Sequence, residues 1–155
     1  MHLYILRHAN ADTEAATDAG RELSEKGREQ AKKVAHFCTH HGITIDVIFS
    51  SSLIRAQQTA KPVAKELGVE ITTVRWLACG ATPEGILREL SALKEVSSVM
   101  LVGHQPDLGE LIAHLTGMGS GGSVNVRKAS LTLLEVLALR KGGGRLEFSI
   151  PARMM

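Results

Sequence analysis

Aromatic residues are nearly missing from this 155-residue chain: one Trp, one Tyr and three Phe, 3% of the whole. A core must then rest on Leu, Val, Ile and Ala, which a chain of this length can pack without disulfides or structural metals. Cysteine is as scarce. Cys38 and Cys79 stand in unrelated contexts, with neither a CxxC nor a metal-ligand spacing. That excludes a disulfide scaffold or zinc module and leaves two reduced thiols. Long hydrophobic runs are lacking too. The opening MHLYILRHAN is broken by Arg7 after six residues, too short for a signal peptide or a membrane span, so a cytoplasmic protein without a membrane partner is expected. Charge of one sign is also lacking. Eighteen Lys and Arg face sixteen Asp and Glu, a net +2, and nothing suggests the concentrated basic face of a nucleic-acid binder. With no internal repeat and no long linker, residues 1–155 are expected to form one domain.

What is present is an alternation. Leu3 to Leu6 reads as a buried strand. Asn10 to Gly20 reads as a loop, and a helix begins at the N-cap Ser24 with Ala31, Val34, Ala35 and Cys38 on one stripe. Ile45 to Phe49 is a second strand. Leu53 to Leu67 is a second helix, which Pro62 should bend or break. Val69 to Val74 is a third strand, and Thr82-Pro83 opens a third helix. Val99 to Val102 is a fourth strand, Pro106 to Leu115 a fourth helix, and Gly117 to Ser123 a flexible loop. Leu131 to Leu139 and Arg145 to Ile150 read as a hairpin turned at Gly142-Gly143-Gly144. The pattern predicts an α/β three-layer sandwich: a mostly parallel central sheet, helices on both faces, hairpin strands at the C-terminus.

Ligands in such folds bind at the carboxyl ends of strands. There the sequence places Arg7-His8 after the first strand, Ser50-Ser51-Ser52 and then Arg55 after the second, and Gly103-His104 after the fourth. Taken singly, each has an ordinary reading: a satisfied structural histidine, a solvated helix arginine, a strand-end histidine bonded to backbone. Together they suit a phosphoryl group. Guanidinium forks match phosphate oxygens in bidentate fashion, phosphoryl transfer needs positioning and charge stabilisation above all, and neutral imidazole is a competent nucleophile near pH 7.

Three motifs carry a family resemblance. Leu6-Arg7-His8-Ala9 resembles the Arg-His-Gly signature of the histidine phosphatase (phosphoglycerate mutase-like) superfamily. Ser51-Ser52-Leu53-Ile54-Arg55-Ala56-Gln57-Gln58-Thr59 resembles its Ser-Pro-x-x-Arg-Ala-x-x-Thr motif, and Val102-Gly103-His104-Gln105-Pro106 its second histidine motif. The short length, and the Asp18 to Gly27 segment with Arg21, Leu23 and Ser24, resemble the SixA-type phosphohistidine phosphatase branch. The resemblance implies the phosphoglycerate mutase-like fold and a metal-independent reaction without cofactor. It implies that His8 attacks phosphorus, that Arg7 and Arg55 hold the phosphoryl oxygens, and that His104 completes the pocket. It offers Arg21 as a further substrate contact and Asp18 as an acid or an orienting group, though the two can equally form only a loop salt bridge.

Two departures, Ala9 for glycine and Ser52 for proline, remove no reacting group. A third is chemical. Trp76 to Ala81, where many relatives in the superfamily carry a general acid, has no carboxylate before Glu84, which reads as a first-turn helix residue. An alkoxide leaving group needs a proton, and general acid catalysis supplies roughly 10²–10⁴-fold. Imidazole leaving from phosphohistidine can take its proton from solvent. The expected substrate is therefore phosphohistidine on a signalling protein such as a histidine phosphotransfer domain. The alternatives are a broad phosphatase of small phosphate esters and a phosphoprotein-binding module without turnover; a mutase would need the missing acid. His40-His41 read as dipole-complementing residues at a helix end rather than metal ligands, the glycine-rich stretch at 118–122 lacks the Gly-Lys of a phosphate loop, and His2, His36 and His114 show no partner.

Overall fold

Every strand of that alternation finds a place in a single six-stranded sheet, in a computed structural model that describes residues 1–155. Strands β1 (His2–Arg7), β2 (Val47–Ser51), β3 (Ile71–Val74) and β4 (Ser98–Gly103) run parallel. β5 (Leu131–Val136) pairs antiparallel with β1, and β6 (Gly144–Ile150) antiparallel with β5. The order across the sheet is β3-β2-β4-β1-β5-β6. The helices are α1 (Glu25–His40), α2 (Ile54–Leu67), α3 (Pro83–Ser91) and α4 (Asp107–Thr116). This is the three-layer α/β architecture with a C-terminal hairpin that the sequence predicts.

Strand alternation divides the core into two layers. Tyr4 and Leu6 of β1 point to the α1–α2 side with Ile48, Met100, Val102 and Leu131, and meet Ala31, Val34, Ala35, Cys38, Ala60 and Val63. Leu3 and Ile5 point to the other side with Val99, Leu101 and Leu134, and meet Ile86, Leu90, Leu108, Leu111, Ile112 and Leu115 of α3 and α4. Small residues on α1 and α2 allow those helices to lie close together, which suits a core poor in aromatics. β4, buried at every position, lies between β2 and β1. The carboxyl ends of β1, β2 and β4 are therefore adjacent.

Some boundaries differ from the sequence reading. β3 begins at Ile71 and β5 ends at Val136, because residues 137–143 form the turn, held by bonds from the Leu137 and Ala138 amides to the Gly143 carbonyl. α2 runs unbroken through Pro62. Pro62 removes one donor from the ladder, but Ala56, Ala60, Val63 and Ala64 on the opposite side stay buried, and that packing keeps the helix continuous. The Gly117–Ser123 loop is tied rather than free: its 3₁₀ turn, Gly121–Ser123, is anchored by the Gly121 amide donating to Glu110 Oε2 at 3.2 Å.

One glycine links fold to site. The chain after β1 crosses the first turn of α1 so closely that a Cβ on Gly27 would lie 1.9 Å from the Asn10 carbonyl oxygen. On the other side the Gly27 amide is held by the N-cap Ser24 Oγ at 3.1 Å, and Ser24 Oγ also donates to Asn10 Oδ1 at 2.8 Å. Neither backbone can give way without moving the segment that follows His8. Gly27→Ala is expected to cost roughly 1–3 kcal/mol, the range for overpacking a well-filled interior, read as a lowered urea midpoint at unchanged slope. A change below about 0.5 kcal/mol would show that this crossing is soft.

Candidate active site

Three segments, the ends of β1 and β4 and the first turn of α2, deliver Arg7, His8, Arg55 and His104 to one place. β1 ends at Arg7, and the His8 amide donates to the Gly103 carbonyl at 3.0 Å, which stitches the ends of β1 and β4 together. The Ala9 amide donates to Thr59 Oγ1 on α2 at 3.0 Å, and Thr59 Oγ1 donates in turn to the Arg55 carbonyl at 2.7 Å. His8 and His104 sit with ring centroids 5.2 Å apart, tilted by 50°. His8, Arg55 and His104 are buried and Arg7 is half-buried.

A hydrogen bond to a carbonyl fixes the His8 tautomer, and a bond to a buried serine hydroxyl orients the His104 ring. His8 Nδ1 lies 2.8 Å from the Ala9 carbonyl. A carbonyl can only accept, so Nδ1 carries the proton and Nε2 keeps its lone pair. His104 Nε2 lies 2.7 Å from Ser51 Oγ. Ser51 is fully buried, its Oγ accepts from the Leu53 amide at 3.3 Å, and its hydroxyl hydrogen has no acceptor other than His104 Nε2. With the serine hydroxyl donating to Nε2, the His104 proton sits on Nδ1, an unpartnered buried nitrogen. Burial pushes the pKa of both rings down to about 4. For His8 the bond to Ala9 opposes the shift, and the charges of His104, Arg55 and Arg7 reinforce it. For His104 the Arg55 charge is the next largest downward cause. Both rings are neutral at pH 7, a state in which an imidazole can attack through one nitrogen and donate through the other.

The residues whose charges act on His8 carry donors without protein partners. Arg7 Nε, Arg55 Nε and His104 Nδ1 are buried and unbonded. Arg7 uses Nη1 on the Val126 carbonyl at 2.8 Å, leaving its Nε–Nη2 edge for a planar acceptor. Buried donors without acceptors are costly, and three of them on His8's charged and imidazole neighbours suit an anion of several oxygens.

Asp18 and Arg21 are placed less directly. Arg55 Nη1 donates to the Asp18 carbonyl at 2.7 Å and Nη2 to Asp18 Oδ2 at 3.0 Å. Arg21 donates to Asp18 Oδ1 at 3.2 Å, to the Asp12 carbonyl at 2.7 Å and to the Ala11 carbonyl at 3.5 Å. Asp18 thus bridges the two arginines, and the Arg21 guanidinium ties the loop before it. Hydrogen bonds from Arg55 and then Arg21 hold the Asp18 carboxyl below its ordinary range. Glu84 lies 3.6 Å from His114 Nδ1, so His114 does have a partner. Asp107 Oδ2 accepts from the Gly80 and Ala81 amides at 2.8 and 3.1 Å. No group of three or more His, Cys, Asp or Glu side chains is arranged to hold a metal.

The chain as a whole has known relatives. The family model for branch 1 of the histidine phosphatase superfamily matches residues 3–78. A phosphohistidine phosphatase SixA homolog of Haemophilus influenzae is 32% identical over 76% of this chain and 78% of its own length. The phosphohistidine phosphatase SixA of Escherichia coli is 28% identical over 74% of each chain. The chain belongs to the histidine phosphatase superfamily, in its SixA-type branch. The solved structure of the protein histidine phosphatase SixA complexed with tungstate superposes with a TM-score of 0.87 at 23% identity, covering 99% of this chain and 98% of that one, and shows the same fold. With the family comes the enzyme class: a hydrolase, of the phosphatase type.

Two contributors to the site escaped the sequence reading although they lie inside a motif. Ser51 sets the His104 tautomer, and Thr59 pins the Ala9 peptide that sets the His8 tautomer. The signal was the motif itself, whose serine and threonine carry no charge to draw attention. The Val126 anchor of Arg7 is a backbone carbonyl and left no signal at all.

Proposed function

We propose that this phosphatase removes the phosphoryl group from phosphohistidine on a signalling protein, such as a histidine phosphotransfer domain, through a phosphohistidine formed on its own His8. The observation that carries the reading is the bare Nε2 of His8 with three unpartnered buried donors on its neighbours. His8 Nε2 forms a bond to phosphorus as the substrate's P–N bond breaks, and the departing imidazole takes a proton from solvent. Water then forms a P–O bond as the P–Nε2 bond breaks. Inorganic phosphate leaves, the water's second proton goes to solvent, and Nε2 regains its lone pair. Arg7 and Arg55 hold the phosphoryl oxygens throughout, and the His104 Nδ1–H donates to one of them.

The choice of substrate rests on the carboxylates. A general acid must be protonated at working pH, and Asp18 is held ionised by two arginines. Glu84 and Asp107 face His114 and the Gly80–Ala81 amides instead. Asp18 is better read as the group that orients Arg55. A site without an available acid suits a nitrogen leaving group better than an alkoxide. The named SixA relatives point the same way, and a cytoplasmic setting fits such a partner. The test is phosphate release from a phosphorylated phosphotransfer domain with para-nitrophenyl phosphate run alongside. Fast release with feeble ester turnover supports the reading. Strong ester turnover with no action on the domain would assign the enzyme to small esters, and silence on both would make it a binding module.

Ser51→Ala tests the tautomer argument. It should lower kcat about tenfold, the scale of losing one neutral positioning bond of roughly 1.4 kcal/mol, with little change in KM. The ¹⁵N shifts of His104 should then report a mixed tautomer. Full kcat with Nδ1 still protonated would remove Ser51 from the account.

A further inference from the structure

The chain's charges are nearly balanced, yet five cations crowd one groove with no carboxylate in its walls. The groove opens beside Arg7, has a volume of about 460 Å³, and is lined by Lys26, Arg127, Lys128 and Arg153 together with Arg7. Apart from Arg7, these residues come from three distant stretches of sequence: the first turn of α1, the segment before β5 and the 3₁₀ turn after β6. None of Lys26, Arg127, Lys128 and Arg153 has an acidic partner within 4.0 Å, although the same structure pairs Arg21, Lys32, Arg55, Arg88 and Arg145.

The arrangement is unfavourable for the protein alone. Lys26 stands in the first turn of α1, where the helix dipole disfavours a cation. Lys128 is half-buried, and burial, then Arg7, Arg21 and Lys26, push its ammonium pKa down. An anion is the missing complement. Its kind follows from the walls: apart from Pro151 and Ala152 the lining is polar or charged, with no aromatic face and no apolar shelf for a nucleobase or sugar. Lys26, Arg127 and Arg153 are exposed. Separated, exposed cations at the rim of a site match carboxylates spread over a protein surface, and charge complementarity of this sort accelerates encounter and selects the partner.

We propose that this groove is a docking surface for acidic side chains that flank the phosphohistidine of the protein substrate. The proposal rests on the phosphohistidine reading above and adds the chemistry of the partner's face: carboxylates beside the phosphorylated histidine, meeting Lys26, Arg127, Lys128 and Arg153 as the phosphoryl group reaches Arg7 and His8.

The experiment compares wild type with the exposed pair R127E/R153E. One substrate is a phosphorylated phosphotransfer domain with its flanking acidic residues intact, another the same domain with those residues changed to Lys, and the third is phosphoramidate, which is too small to span the groove. Wild type should prefer the acidic domain, and its kcat/KM should fall steeply between about 50 and 500 mM salt, by about tenfold. R127E/R153E should lose roughly 10–100-fold on the acidic domain, lose the salt dependence, and recover on the Lys-substituted domain, with phosphoramidate turnover confirming an intact site. Equal losses on domain and phosphoramidate, or wild-type kinetics on the acidic domain, would overturn the docking surface while leaving the phosphohistidine reading in place. Wild type that cleaves phosphoramidate but neither domain would overturn the substrate reading itself, and the docking surface with it.

Discussion

On the substrate proposed above, a phosphorylated phosphotransfer domain, His8→Ala is expected to release phosphate at least about a thousandfold more slowly than wild type, the scale on which loss of a covalent nucleophile acts. The size follows from the site. Nε2 of His8 is the unprotonated nitrogen at the meeting of Arg7, Arg55 and His104, and its neighbours offer donors rather than a second nucleophile. His104 lies close enough to be suspected of substituting, with ring centroids 5.2 Å away, but its Nε2 lone pair is engaged by the Ser51 hydroxyl and its Nδ1 carries a proton. The residual rate should therefore be that of water attacking directly in a charged cradle. A second readout separates chemistry from binding. Rapid acid-free quench with a labelled donor should trap one phosphoryl group per wild-type chain, stable to base and labile to acid as a phosphoramidate is, and none on His8→Ala. Because Arg7 and Arg55 persist, the variant should still bind inorganic phosphate. Activity above a tenth of wild type, or a labelled His8→Ala chain, would remove the covalent step.

Much of this site is legible in the sequence. The alternation of strands and helices gives the layers, and the strand-end rule then gathers Arg7, His8, Arg55 and His104 because charged residues there have no other reason to follow buried runs. The features that resist reading share one property: they depend on where a polar atom finds its partner. Asp18 reads as an acid or half of a loop salt bridge, and nothing in its neighbourhood of the sequence says that Arg55, 37 residues away, bonds both its carboxylate and its carbonyl. Pro62 reads as a break because local propensity is blind to the buried alanine face that holds α2 together. The basic groove is invisible for a related reason. Lys26, Arg127, Lys128 and Arg153 are unremarkable singly in a chain of net +2, and only the fold puts them beside Arg7.

The same burial that readies the histidines should make the protein sensitive to acid in a narrow window. The folded pKa of His8 is about 4, below the value of about 6.5 for the unfolded chain. As pH falls, the unfolded chain takes up the proton first, so the folded state is favoured in full above about pH 6.5 and loses ground down to about pH 4. For His8 the loss is about 3 kcal/mol across that window, at roughly 1.4 kcal/mol per pKa unit, and His104 adds to it in the same direction. Asp18 contributes only further down: its carboxyl is held below the ordinary value of 3.8, so its share is lost as pH drops through and beneath that range. Between about pH 6.5 and 4 the midpoint of urea unfolding should therefore slide steeply in wild type. In His8→Ala it should slide less, by about the share His8 carries, even though the variant starts from a different stability at pH 7. Activity should follow another curve over the same range. kcat/KM reports the free enzyme's ionisations, and a nucleophile that stays unprotonated to about pH 4 should sustain phosphoramidate turnover through about pH 5, where an ordinary histidine would already be largely protonated. An acid limb near about pH 6.5, or equal acid loss of stability in both proteins, would mean that His8 is solvated like any surface imidazole. The donor cradle around it would then be wet, and far weaker than its burial implies.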